Sequence, residues 1–143
     1  MQVTFVPHEH IEIIWPKIES YMKGAADYTF GRFKVDDIKN DLIKHKDRQQ
    51  LWVAFEDHEN IYGAVVTEVY QYPQTRALIM HFTGGKNLPK WKQPMLEILQ
   101  QYAGDNQCTI IESYGRPGWE KVLKNFKYSK SHVLLEKPLK RSK

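Results

Sequence analysis

Two periods of apolar and polar positions alternate along this chain, and the switches between them mark its elements. Residues 2–6 (QVTFV) alternate enough for a first strand, closed by Pro7. Ile11, Ile14, Trp15, Ile18 and Met22 then recur at the spacing of one helix face. Pro16 interrupts that stripe, so the pattern predicts either a turn followed by a helix from near Trp15, or a kinked helix. Gly24 reads as its stop. Residues 25–34 (AADYTFGRFK) have no clear period, and two readings of Tyr28, Phe30 and Phe33 stay open. They are aromatics closing over a cleft, or anchors of a plain helix connection. A second helix follows from 35–37 with Asp36 as candidate cap and Ile38, Leu42 and His45 on its inner face.

Residues 51–56 read as a strand, 57–60 as a hairpin turn and 61–72 as a longer returning strand. The turn at 72–74 leads into residues 76–82 (RALIMHF), an apolar run of strand length. Three strands joined by tight turns are antiparallel neighbours, which makes 51–82 a meander at the centre of a sheet. Residues 83–87 (TGGKN) are turn chemistry. Beyond them Trp91, Met95, Ile98, Leu99 and Tyr102 form a helix stripe, with Pro94 placing its start near Lys90 and Gly104 its end. Residues 108–113 form the next strand, able to lie parallel to 76–82 through a right-handed crossover. A short helix over 118–125 turns Trp119, Val122 and Leu123 inward, and 128–136 predicts a last strand.

The strand–loop–helix over 75–102 organises the rest. A helix that starts just past a strand end offers unpaired N–H groups and a positive dipole end, where phosphate is the usual guest. The loop matches no strict phosphate fingerprint, so an ordinary connection without a ligand is the other reading.

Composition narrows this picture. The 143 residues suit one domain, 1–137, followed by a basic tail, 138–143. Four of the 21 Lys and Arg lie in the last seven residues, KPLKRSK, leaving 17 against 17 Asp and Glu. The body is therefore close to neutral and the tail reads as a solvated terminus. Binding of nucleic acid through the tail and 34–46 is disfavoured, since aromatic and basic residues do not interleave on one face. No apolar run approaches a membrane span, no leader pattern is evident, and Cys108 stands alone, which together predict a cytoplasmic protein. There is no Gly-x-Ser-x-Gly, Walker loop or Gly-x-Gly-x-x-Gly. His8, Glu9 and His10 are too close in sequence for a helical zinc pair, and no metal is expected.

The order strand, two helices, three antiparallel strands, helix, strand, short helix, strand resembles the Gcn5-related N-acetyltransferase (GNAT) fold. The stretch 114–123 (YGRPGWEKVL), closed by Phe126, Lys127 and Tyr128, is similar to the last helix of small phage-encoded GNAT-like proteins. Trp52 in Leu-Trp-Val and Gly63 opening Gly-Ala-Val-Val-Thr-Glu add to the likeness. The fold implied is α+β or α/β, with a mixed, mostly antiparallel sheet and helices on both faces. The resemblance further implies acetyl-coenzyme A, as co-substrate, in a wedge between strands 76–82 and 108–113. Main chain at Met80, His81 and Phe82 would line the pantetheine arm. Thr83, Gly84, Gly85, Lys86 and Asn87, with Lys90 and Arg116, would hold the pyrophosphate or its charge. The implied partner is a small-molecule or protein amine; no membrane is expected, and a homodimer stays open. If phage-encoded, the protein would sit in host cytoplasm or virion.

Two departures from the family pattern matter. The family loop is Gln/Arg-x-x-Gly-x-Gly/Ala, whereas here the glycines are adjacent and early and Pro89 removes a donor. Leu123 falls where the family often has its general-acid tyrosine, and Arg116 and Trp119 where it often has asparagine and alanine. Acetyl transfer needs a base, an oxyanion donor and an acid for the thiolate. Glu68, Glu112 and His81 are the candidate bases, Tyr114 and Tyr128 the candidate acids. The alternative is a GNAT fold without catalysis, a phage structural or interaction protein.

Overall fold

The computed structural model describes residues 1–115 and 117–139. In chain order the elements are β1 (Gln2–Val6), a 3-10 turn (His8–His10), α1 (Ile11–Asp27), α2 (Val35–Lys44), β2 (Gln49–Asp57) and β3 (Asn60–Gln71). β4 (Arg76–Gly85), α3 (Leu88–Asp105), β5 (Ile110–Ser113) and α4 (Pro117–Lys124) complete them. The strands form one sheet in the order β1-β2-β3-β4-β5. β1 to β4 pair antiparallel, and β5 joins β4 in parallel because the helical crossover α3 returns the chain to the same end of the sheet.

Strand alternation sends apolar side chains to both faces, and each face buries its own cluster. On one, Ile11, Trp15, Ile18 and Met22 of α1 and Ile38 and Leu42 of α2 cover Leu51, Val53, Ala64 and Val66. On the other, Trp91, Met95, Leu96 and Leu99 of α3 and Leu123 of α4 cover Trp52, Val65, Leu78 and Met80. A polar chain runs inside the sheet: the Trp52 indole donates to Thr67 Oγ1 (2.9 Å), whose hydroxyl donates to Gln50 Oε1 (2.7 Å).

Several boundaries differ from the sequence pattern, each for a visible reason. α1 starts at Ile11 and passes through Pro16, whose missing N–H costs one bond near the helix start. It continues past Gly24 to Asp27 because Ala25 and Ala26 still bury against the sheet. α2 is capped by Asp37 rather than Asp36: its Oδ2 accepts the Lys34 N–H at 2.9 Å. α3 begins at Leu88, so Pro94 lies inside it. Residues 128–136 form no strand. Tyr128 N–H closes a turn on Leu123 O (3.2 Å), and Val133, Leu134 and Leu135 beyond it are exposed. A strand-prone sequence becomes a strand only when a neighbour supplies its hydrogen bonds, and β5 is just four residues long.

The correction with most consequence concerns residues 83–87. Thr83, Gly84 and Gly85 belong to β4, paired with Val65, Ala64 and Gly63 of β3. A Cβ at Gly84 would overlap the Tyr21 carbonyl of α1, and one at Gly85 the Tyr62 carbonyl and Gly63. These glycines admit close backbone and indole contacts rather than a turn. The connection to α3 is only Lys86 and Asn87, with Asn87 in the left-handed region (φ 54°).

Candidate active site

β4 and β5 share four residue pairs, from Ala77 with Ile110 to Met80 with Ser113. The Tyr114 N–H reaches back to Met80 O at 3.3 Å, and there the strands part. β4 runs on through His81–Gly85, and among the described residues no strand pairs with that stretch on the β5 side. The Trp119 indole donates to Ser113 Oγ at 2.8 Å, tying α4 to the last paired residue of β5.

At the parting point β4 carries a bulge. Val66 pairs with Phe82 and Thr67 with Met80, which leaves His81 as the extra residue. His81 keeps the face of Ile79, two residues earlier, and the bulge puts Phe82 on that face as well. Phe82 packs with the α1–α2 cluster and meets the Phe33 ring edge-on at 5.3 Å. The segment before α2 thus anchors one aromatic on the strand just past the parting point. Phe30 in the same segment is exposed with φ 55°.

A cleft of about 290 Å3 opens here, lined by Glu68, Tyr70, Tyr72, Ile79, His81 and Tyr114. His81 Nε2–H donates to Glu68 Oε1 at 3.0 Å, and Gln49 Nε2 donates to the same oxygen at 3.2 Å. Arg48 Nε meets Glu68 Oε2 at 3.0 Å. Glu68 is 8% exposed, so both oxygens of a buried carboxylate are occupied. It is therefore a group that orients and balances the imidazole rather than a free base. With Nε2 donating, His81 Nδ1 is the available acceptor. Tyr114 stacks on the His81 ring (centroids 6.1 Å, interplanar angle 10°) with its own ring largely exposed. On the far side of Ile79, Tyr72 donates its hydroxyl to Glu112 Oε1 at 2.7 Å. That bond, with burial, pushes the Tyr72 hydroxyl up to about 12.

The residues singled out from sequence fall into three groups. Glu68, His81 and Tyr114 line this cleft, and Glu112 adjoins it through the Tyr72 hydroxyl. Tyr128 does not: it packs on the α3 face, where burial pushes its hydroxyl up. Of the residues expected along the coenzyme, Met80 is buried as the last β4 partner of β5, and His81 and Phe82 begin the unpaired stretch. Thr83 Oγ1 on that stretch is buried with no hydrogen-bond partner among the described residues. Lys86 N–H is spent on Tyr62 O (2.8 Å), and Lys90 N–H on Asn87 O (2.9 Å). The Lys86 and Lys90 ammonium groups stand over the Tyr62 ring at 5.4 and 5.9 Å. Arg116 lies outside the described residues, as does the tail from 140 onward.

Sequence reasoning missed Arg48, Gln49, Tyr70 and Tyr72. Arg48 ends a Lys-rich run that reads as solvated surface. A signal was present at Gln49 and Gln50, two polar residues leading directly into an apolar strand, and both are buried. A second cleft, about 310 Å3 beside Cys108, Gln100 and Ile110, brings no comparable cluster; burial there pushes the Cys108 thiol up, away from nucleophilic thiolate. Among the described residues no three His, Cys, Asp or Glu gather as metal ligands, and no helix is long and apolar enough to cross a membrane.

No protein-family model matches the chain, and no curated protein matches its sequence. Solved structures do match. A probable acetyltransferase superposes with a TM-score of 0.71 at 14% identity, over 100% of this chain and 99% of the other. The chain has the GNAT fold. A predicted acetyltransferase with acetyl-CoA from Clostridium acetobutylicum matches with a TM-score of 0.68 and 14% identity, covering 96% and 95%. A GNAT family acetyltransferase from Staphylococcus aureus matches with a TM-score of 0.68 and 10% identity, covering 96% and 98%. At such identities the likeness establishes architecture alone, and the parting of β4 and β5 and the cleft beside it are read from this structure itself.

Proposed function

We propose that this protein transfers an acetyl group from acetyl-coenzyme A to an amine at the cleft where β4 and β5 part. The observation that carries this reading is the Glu68–His81 pair. Its imidazole stands on the first β4 residue beyond the last β5 pair, with Nδ1 left to take a proton. A histidine held in one tautomer by a buried carboxylate is a general base ready to deprotonate an incoming ammonium. Acetyl-coenzyme A would supply the thioester carbonyl and the thiolate leaving group. His81 Nδ1 would accept the proton of the attacking amine, and Glu68 would balance the imidazolium that results. Main-chain N–H groups along the unpaired β4 stretch are the candidate oxyanion donors. The Tyr114 hydroxyl is the candidate acid, in place of the tyrosine that Leu123 lacks.

Two features support the fit of the coenzyme. The edge of β4 from 81 onward has no strand neighbour among the described residues, and the orphaned Thr83 hydroxyl lies on it. The amide groups of a pantetheine arm would satisfy both. The pyrophosphate would then meet Lys86 and Lys90 as point charges, because the Lys86 and Lys90 N–H groups are spent and Pro89 has none. A melting-temperature titration tests binding: saturable stabilisation by acetyl-coenzyme A is expected, rising by mass action. Acetylation of an amine panel by wild type and His81→Ala tests transfer; equal rates in the two proteins refute the assignment of the base.

A specific observation favours a second reading, a GNAT fold without transfer that serves as a phage structural or interaction protein. Leu123, where the family often has an acid, is packed into the α3-side core, and the glycines of the expected phosphate loop are strand residues. No stabilisation at millimolar acetyl-coenzyme A selects this reading.

A further inference from the structure

The cleft beside His81 has a composition that selects its acceptor. Glu68, Ile79 and Glu112 are register partners on β3, β4 and β5, so they stand in one row on one face of the sheet. Adjacent strands lie about 4.8 Å apart, which separates the two glutamate backbones by about 10 Å. Ile79 between them is an apolar floor. Glu68 has its charge met by Arg48. Glu112 accepts the Tyr72 O–H, a neutral donor, and among the described residues no basic side chain pairs with it. The elevated titration of Tyr72 keeps that donor neutral across ordinary pH. Tyr70 and Tyr72 meet edge to face at 4.8 Å beside it, and Tyr114 closes the His81 end. Aromatic faces beside a carboxylate that no basic side chain neutralises among the described residues attract an organic cation.

We propose that the acceptor is an aliphatic diamine or polyamine, with the reacting amine at His81 and a second ammonium held by Glu112 beside the paired rings of Tyr70 and Tyr72. This rests on the transferase reading above for its chemistry but not for its binding. Methylenes lie over Ile79, and the second charge is recognised at Glu112, whose carboxylate meets only the neutral Tyr72 hydroxyl among the described residues. An acceptor that carries a carboxylate at its far end meets Glu112 as a like charge and is rejected.

Calorimetric titration of the full chain without acyl donor tests this, with 1,5-diaminopentane, 1-aminopentane and 5-aminopentanoic acid as probes. The diamine is expected to bind roughly tenfold or more tightly than the monoamine, the gain of one desolvated charge contact. The amino acid should bind most weakly. Glu112→Gln, which keeps an acceptor for Tyr72, should reduce the diamine's advantage to within about threefold. Tyr70→Leu, away from the Tyr72–Glu112 bond, should weaken diamine binding as well, and melting curves confirm that both variants fold. Equal affinity for diamine and monoamine overturns the proposal, as does the absence of saturable binding by any amine. Diamine binding without acetyl transfer overturns the transferase reading and leaves the acceptor class standing. Acetylation with no diamine preference does the reverse.

Discussion

The Glu68 carboxylate and the His81 imidazole lie 3.0 Å apart, where β4 carries one residue more than β3. Glu68 pairs with Ile79, and His81 two residues on shares that face. The bulge then brings Phe82 to the same face, so the strand presents histidine and phenylalanine side by side instead of alternating them. If the proposed acetyl transfer takes place, substituting His81 with alanine should lower its kcat/KM roughly 100- to 10,000-fold. Glu68→Gln should lower kcat by less, since Nδ1 survives but its tautomer is no longer enforced. Steady-state kinetics on both variants check this, and a Glu68→Gln protein as active as wild type refutes the orienting role.

Two glycines make opposite predictions about stability. Gly84→Ala should cost about 1–3 kcal/mol, because its Cβ overlaps the Tyr21 carbonyl of α1. Gly24→Ala, mid-helix with nothing within 4 Å of the added carbon, should stabilise by about 0.5–1 kcal/mol. Urea denaturation of both variants measures the contrast.

Thr67 is fully buried and its hydroxyl links Trp52 to Gln50. Thr67→Val should destabilise by roughly 1–3 kcal/mol for each group left without a partner. Thr67→Ser keeps both bonds and should cost less. A larger loss in Thr67→Ser than in Thr67→Val would show that the methyl group, not the hydroxyl, matters.

Tyr72 predicts an alkaline dependence. Its hydroxyl titrates near 10 in an unfolded chain and is raised to about 12 here, first by the bond to Glu112 and then by burial. A raised folded value means the contribution is complete below about pH 10 and is lost as pH climbs toward 12. The melting-temperature difference between wild type and Tyr72→Phe should therefore be constant below pH 10 and shrink above it. A difference unchanged up to pH 12 contradicts the Tyr72–Glu112 bond.

Much of the architecture was legible along the chain. The stripe from Trp91 to Tyr102 is a buried helix face, the meander is antiparallel, and β5 is parallel to β4, because hydrophobic period and connection length are local properties. The clustering of Glu68, His81, Glu112 and Tyr114 was only partly legible. Each stood out by type and place, yet nothing in the sequence showed that Glu68 would have both oxygens occupied by Arg48, Gln49 and His81.

Gly84 and Gly85 look like turn residues in isolation and prove to be strand residues under Tyr21 and beside Gly63, since only packing reveals which backbone comes close. Residues 128–136 look like a strand and form none, because a strand is completed by its neighbour's hydrogen bonds and not by its own side chains. Periodicity by itself marked α1, α3 and the antiparallel meander and their apolar faces, because those follow from the spacing of side chains along one backbone. The bulge at His81, the parting of β4 from β5 and the cleft they create depend on register between strands distant in sequence, and only the tertiary structure decided them.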